Sequence, residues 1–501
     1  MKSNLPISYF TSSFNSSYVE SFLKVIGNPP DFSIVHDSSE QTTSPSQIDI
    51  LNARTGHFEL SNIGLELLPL SKEDYQYFSE YIEPALLMFD RQDPKQLIQT
   101  SSRIALFWQF VQFWKTLFLK RKPSYLISRN IPHFPSEYVL YLTFQRYNTP
   151  FFMMDYCEHI ERMQLITSIE QRTIPLPKNF SKLEPHSLIG AQKIIDKIKD
   201  ERYSGVNSFY KNIYHLAEES FFYRLKVRFR LLAYSFYFPL RRIQSALILS
   251  TRLNARPYRY QVGLHFFINT FIIHKLYNYY KKVSGVSSER ISEKKILFFP
   301  LHYQPERTSL PDAVPFQNQL RVIDILSRSV PHNWEILVKE HPTTFRFPYK
   351  VFLRGNYNRS RAFYNQILTY PNVHLVPLQD STQEWIKKAD VISTLNGSVT
   401  LEALCSSKKV VLFGNSWFKS FPNTLSYRNS ETLKDFLLQK DRSSSLEIED
   451  RIKNVLAHYH EHTVNHLLFN QQNESKMIEE TEVYVNQIAL YFSKVQPTSD
   501  K

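Results

Sequence analysis

The sequence predicts an α/β protein: two Rossmann-like sheet domains, a helical basic segment between them, and C-terminal helices that cross back. Three observations carry this. Strand and helix signals alternate with short loops over residues 1–175 and again over 291–430, as in doubly wound parallel sheets. At 501 residues the chain exceeds one ordinary core. Its charge is also uneven. From Phe221 to Ser288 there is no Asp or Glu but twelve Lys or Arg, and removing these from the net charge of +13 leaves +1.

In the first domain, SYFTSS and DFSIVHDSS read as strands. Lys72 to Arg91 and Lys95 to Lys120 read as helices, the former interrupted by Pro84. SYLISRN is a strand, followed by IPHFP, with Ser136 as expected N-cap of the helix EYVLYLTFQRYN. TPFFMMDYC is the next strand. Residues 176–290 are helix-rich, aromatic and basic. From Lys294 the alternation sharpens. KKILFFP, NWEILVKEHP, NVHLVPL, DVISTL and KKVVLFG are strands. FQNQLRVIDILSRSV, SRAFYNQILTY, STQEWIKKA (capped by Ser381) and SVTLEALCS are helices. Residues 431–501 form C-terminal helices and a tail, with long helices over 446–494.

Composition excludes several classes. The 42% hydrophobic fraction is that of a globular chain. With 10 glycines and no G-x-G-x-x-G or Walker pattern, a standard dinucleotide or P-loop enzyme is not expected. Cys157 and Cys405 lack metal or disulfide spacing, which points to a reducing compartment. Met1 to Asn15 shows no signal peptide, and no run approaches the roughly 18 apolar residues of a membrane span.

Chemistry concentrates in three loops at the carboxyl edge of the second sheet, where open α/β sheets bind ligands. ILVKEHP places Lys339 and His341 two residues apart, and on a strand such residues share a face that could meet one anion. Pro342 ends that strand. LHYQPE offers Gln304 and Glu306, and a carboxylate there can act as base, nucleophile or hydrogen-bond acceptor. STLNGSVTLEAL turns directly from strand to helix. Asn396, Gly397 and Ser398 form the turn, Ser398 is the expected N-cap, and Glu402 lies one turn on. Such a helix start suits phosphate. Each loop also has a plainer reading as a capped helix, a solvated strand end, or a Glu306–Arg307 pair.

Together the loops resemble the bacterial capsule polysaccharide biosynthesis family, whose best known members are Kdo transferases with GT-B-like folds. Gln304-Pro305-Glu306 matches the family's Q-x-E motif. Lys339-Glu340-His341-Pro342 matches its K-x-H-P motif, and Gly397 to Leu404 is similar to its strand-to-helix turn with looser spacing. The resemblance implies a glycosyltransferase of capsule or lipopolysaccharide assembly, using a nucleotide-sugar donor, with CMP-Kdo favoured. Lys339, His341 and Ser398 would then contact the donor phosphate, Glu402 the ribose, and Glu306 the nucleotide or reacting sugar. On the acceptor side, LISRNIPHFPSEYVLYLTFQRYNTPF resembles the family's strand, loop and helix, and puts Asn130, His133 and Glu137 at the cleft. His133, Asp155 and Glu158 are candidate acids or bases. No D-x-D pair is present, so neither a metal nor another cofactor is expected. The alternatives are a CDP-alcohol-dependent phosphotransferase of similar fold and a non-catalytic assembly scaffold.

The segment 221–288 reads either as core-packed helices or as a surface for anionic membrane, which a lipid-linked acceptor would suit. Nucleic acid is not an expected partner, because no binding module is recognisable. A cytoplasmic location, peripheral at the inner membrane face, follows from these readings.

Overall fold

The computed structural model describes residues 5–14, 16–35, 46–56, 58, 64–91, 98–180, 182–200, 225, 226, 229, 264–285, 293–304, 306–345, 359–439, 444–465 and 474–495. They form two compact units, the first of residues up to Arg172 joined by the segment from His462 onward, the second of residues from Thr173 to Glu461.

The first unit is built on strands β1 (Tyr9–Phe14), β2 (Phe32–Val35), β3 (Gln47–Asp49), β4 (Tyr125–Ser128), β5 (Phe151–Cys157), β6 (Arg162–Ile166) and β13 (Val464–Asn465). Their order is β13-β6-β5-β4-β1-β2-β3. The strands from β5 to β3 in that order run parallel, whereas β6 and β13 pair antiparallel at the edge. The expected helix over Lys72 to Arg91 is two helices, Lys72–Ser79 and Ile82–Phe89. The first starts in a capping box of Ser71 and Asp74. Pro84 sits in the first turn of the second, where its missing N–H costs nothing.

Ser136 is not the cap that its sequence context suggests. Phe134 occupies that place, and Pro135, with φ already set for a helix, takes the first position. Ser136 is fully buried one residue later and accepts a hydrogen bond from Trp114 Nε1 at 3.2 Å.

The helix Glu474–Val495 lies on the helix Ser16–Ile26. Tyr484, Val485 and Ile488 join a core with Tyr9, Tyr125 and Phe152. The chain therefore returns to its first sheet, as expected. Glu480 on this helix is 2% exposed, and its carboxyl oxygens have no hydrogen-bond partner among the described residues. Burial pushes it up to about 7, with Arg129 pulling the other way. A raised folded-state value means that stability is full below the ordinary carboxylate range and is lost as pH rises through about 7. Glu480→Gln should therefore raise the melting temperature at pH 8 and leave it unchanged at pH 4, a comparison that scanning calorimetry at the two pH values reads directly.

The second unit carries β7 (Lys295–Pro300), β8 (Trp334–Lys339), β9 (Val373–Leu375), β10 (Val391–Thr394), β11 (Lys409–Leu412) and β12 (Thr424–Ser426), all parallel. The order is β12-β11-β10-β7-β8-β9. Winding moves outward from β7 through β9, then returns to the other side of β7, so the order reverses between β7 and β10. Both units thus have the Rossmann-like α/β construction expected of a GT-B-like chain. Of the segment 176–290, the structure describes chiefly the helices Pro185–Lys199 and Leu264–Val283. Most of the basic stretch 221–288 lies outside the described residues. The final helices run Ser445–His462 and Glu474–Val495, with β13 between them.

Candidate functional site

The crevice beyond β7, β8 and β10 collects the three loops. Its frame is a buried ion pair whose acid is the third residue of K-E-H-P counted from its end. Glu340 has no exposed side-chain surface. One of its oxygens accepts from Arg359 Nε at 2.6 Å and the Tyr364 hydroxyl at 2.8 Å, the other from the His341 N–H at 2.7 Å and Thr344 Oγ1 at 3.1 Å. Arg359 then spans to the neighbouring loop, donating to Gln304 Oε1 at 3.0 Å and to the His302 carbonyl at 2.9 Å. Four hydrogen bonds to one carboxylate and a matched cation are what makes such burial tolerable.

This reassigns Gln304. Its amide donates to the Gln317 carbonyl at 2.7 Å while its oxygen takes Arg359, so both ends brace the loop. Glu306 is half-buried, and its carbonyl anchors the following turn through Ser309 and Leu310. Arg307 pairs with Asp312 at 3.4 Å.

β8 ends at Lys339, so strand alternation does not extend to His341. His341 is half-buried, its Nδ1 accepts the Thr343 N–H at 3.2 Å, and Pro342 opens a short 3₁₀ turn. Lys339 is the unusual group. It is 4% exposed, and its ammonium has no hydrogen-bond or ion-pair partner among the described residues. Burial pushes its ammonium down to about 8, against the nearby charges of Asp380 and Glu340.

At the β10 turn, Ser398 holds the N-cap position of the helix Val399–Cys405, but its hydroxyl makes no cap hydrogen bond. Asn396 is buried and donates to Asp312 Oδ2 and the Asn415 carbonyl, both at 3.4 Å. A Cβ at Gly397 would lie 3.0 Å from Thr394 Oγ1 and 3.1 Å from His302 Cε1, so a side chain there would have to push these neighbours back by a few tenths of an ångström. Gly397→Val should accordingly lower the melting temperature by several degrees, the scale of about 1–3 kcal/mol for overpacking. Glu402 sits inside the unit, takes a hydrogen bond from Gln383, and is pushed up to about 8 by burial. Its buried carboxyl thus favours the protonated form.

His302 was not singled out by sequence. It follows β7 without any motif of its own, yet it lies at the strand-order reversal, with its ring against Gly397. Its Nε2 accepts the Leu395 N–H at 3.3 Å and is 2.8 Å from Thr394 Oγ1. Enclosure and the Arg359 charge push it down to about 4, so the ring is neutral at pH 7.

The first-unit candidates do not converge in the same way. Asp155 is fully buried in β5 and is held by Arg172 Nε at 2.8 Å and Gln164 Nε2 at 2.9 Å, a structural pairing and not an acid facing a cleft. Glu137 is buried and accepts from Arg54 Nε at 2.8 Å, while Arg54 packs 3.6 Å above the Phe134 ring. His133 is half-buried, with its Nδ1 bonded to the Ile131 carbonyl and its own carbonyl taken by Arg91. The Asn130 carbonyl accepts from Ser128 Oγ at 2.7 Å. Glu158 lies in the turn joining β5 to β6. Among the described residues, no group of three His, Cys, Asp or Glu side chains could hold a metal ion, and no helix is long and apolar enough to cross a membrane.

No family model matches the chain, and no curated protein matches it. Among solved structures it is similar to the KpsC β-Kdo 2,7-transferase of Thermosulfurimonas dismutans, at 9% identity and a TM-score of 0.31, over 95% of this chain and 99% of that one. It is also similar to the KpsC β-Kdo 2,4-transferase of the same organism, at 12% and 0.30, over 67% and 79%. A glycosyltransferase from Rickettsia africae matches at 11% and 0.22, over 98% and 99%. Likenesses this distant decide neither family nor reaction.

Proposed function

We propose that the chain is a GT-B-type glycosyltransferase of surface polysaccharide assembly, moving a sugar from a nucleotide-activated donor to a glycan or lipid-linked acceptor. The observation that carries this reading is Lys339, a buried ammonium at the carboxyl edge of a doubly wound sheet with no partner among the described residues. Such a cation is costly unless an anion arrives, and a nucleotide phosphate is the ligand that this sheet edge suits. Lys339 would neutralise the phosphate as the glycosidic bond breaks and charge gathers on the leaving group. His341, two residues on and half-buried, would add a donor. The braced Gln304 and Glu340 would hold the two loops still while this happens.

The donor is a CMP-activated acidic sugar such as Kdo in this reading, and no metal takes part. Glu306, in the first of these loops, would lie near the nucleotide or the reacting sugar. In this reading the acceptor binds at the first unit, beside Asn130, His133 and Glu137. Membrane association at the cytoplasmic face draws support from the helix Leu264–Val283, where Phe271 and Ile272 are 41% and 49% exposed and Lys275, Lys281 and Lys282 are also exposed.

A thermal-shift panel with CMP, CDP, UDP, GDP and their sugar conjugates tests the proposal. A ligand at about a hundred times its Kd adds roughly 2.7 kcal/mol. Selective stabilisation by CMP supports the Kdo-type donor, and a UDP or GDP preference replaces that donor. A response to no nucleotide leaves the assembly scaffold as the better reading. Vesicle flotation with anionic and neutral lipids tests the membrane part separately.

A further inference from the structure

We propose that His302 is a ligand-binding residue, which presents a fixed and uncharged N–H to a phosphate oxygen of the donor; the assignment rests on the nucleotide-sugar reading of this edge. Its two ring nitrogens have different employment. Nε2 faces inward and accepts the Leu395 N–H at 3.3 Å, and a nitrogen that accepts from a backbone amide carries no hydrogen of its own. Thr394 Oγ1, 2.8 Å away, accepts the Gly397 N–H at 3.2 Å, which leaves the threonine hydroxyl to donate to the same Nε2. The ring proton is therefore on Nδ1, and Nδ1 has no hydrogen-bond partner among the described residues.

The surroundings keep that N–H in place. The His302 backbone is held at both ends by one side chain, its N–H on Gln319 Oε1 at 2.7 Å and its carbonyl on Gln319 Nε2 at 3.0 Å, with Arg359 adding a second bond to the carbonyl. Gly397 lies against the ring edge. The residue stands where the order of the strands reverses, between β7 and β10, the crevice in which open α/β sheets take their ligands. A donor already oriented loses little freedom on binding. Its role complements that of Lys339: the ammonium supplies charge, and the imidazole supplies direction.

Two isosteric substitutions separate binding from packing. In His302→Gln the amide oxygen replaces Nε2 as acceptor and no donor remains at the Nδ1 position. In His302→Asn the amide restores a donor near Nδ1 and the inward acceptor is lost. Each is measured by titration calorimetry with the nucleotide that best stabilises the wild type among CMP, CDP, UDP and GDP, and by thermal melting without ligand. We expect His302→Gln to keep its melting temperature within about 2 °C and to lose about tenfold in affinity, one hydrogen bond to a charged acceptor. We expect His302→Asn to melt lower yet bind within about threefold of the wild type. Wild-type affinity in His302→Gln overturns the assignment and leaves the donor reading standing, as does equal loss of binding in the two variants. Absence of nucleotide binding in the wild type overturns both together.

Discussion

Lys339→Met is expected to stabilise the ligand-free protein at pH 7 while removing nucleotide binding. Burial pushes the lysine from 10.5 down to about 8, a fall on the order of 3 kcal/mol of disfavoured charge. The sign follows from a depressed cation. The unfolded chain holds the proton more tightly, so the fold is penalised below pH 8 and the penalty fades as pH rises toward 10.5. Methionine fills a similar volume without charge. The variant should melt several degrees higher at pH 7, and the two proteins should converge near pH 10. Affinity for the nucleotide should drop by about a hundredfold, because the phosphate loses a cation in a place that water reaches poorly. A variant that melts lower and binds normally would show that Lys339 serves the fold alone. Opposed effects on stability and binding are the signature of a group kept for its ligand.

Arg359→Leu should do the reverse and act on the fold. Glu340 is left with an uncompensated charge in a site without water access, a loss of about 3–5 kcal/mol. Tyr364 and Thr344 cannot supply the missing positive charge. The double variant Arg359→Leu with Glu340→Leu should recover a large part of that loss, since removing both partners leaves no orphan. Denaturant titration of the two single variants and the pair gives the coupling directly. Additive losses would mean that the two residues do not act as one unit, and the frame described for the crevice would be wrong.

The sequence made some of this legible and concealed the rest for physical reasons. Strands of the second unit are buried on both faces and read as unbroken apolar runs, so ILFFP and EILV announced themselves. The three-residue strands β3, β9 and β12 carry little periodicity, and β3 and β12 escaped notice. The antiparallel β6 escaped because RMQLI alternates too briefly to be told from a loop. In the crevice, motif spacing pointed to Lys339 and His341 but passed over Glu340, the residue between them. Its partners Arg359 and Tyr364 lie 19 and 24 positions further on, and nothing in one sequence announces a pair at that distance. His302 lacked a signal for the same reason, since its importance comes from Thr394 and Leu395 across the sheet. Asp155 misled because an acid at a strand end resembles a catalytic group until Arg172 is found beside it.

The return of the chain to its first sheet sets an order of biosynthesis. β13 and the helix Glu474–Val495 complete the unit that begins at the N-terminus, yet about 290 residues are translated between its two parts. At cellular synthesis rates that interval is on the order of 15–60 s. Throughout it, the core around Tyr9, Tyr125 and Phe152 has the helix Ser16–Ile26 but lacks Tyr484, Val485 and Ile488. A chain stopped before residue 464 would therefore leave the first unit's core incomplete although all of its other strands had been made.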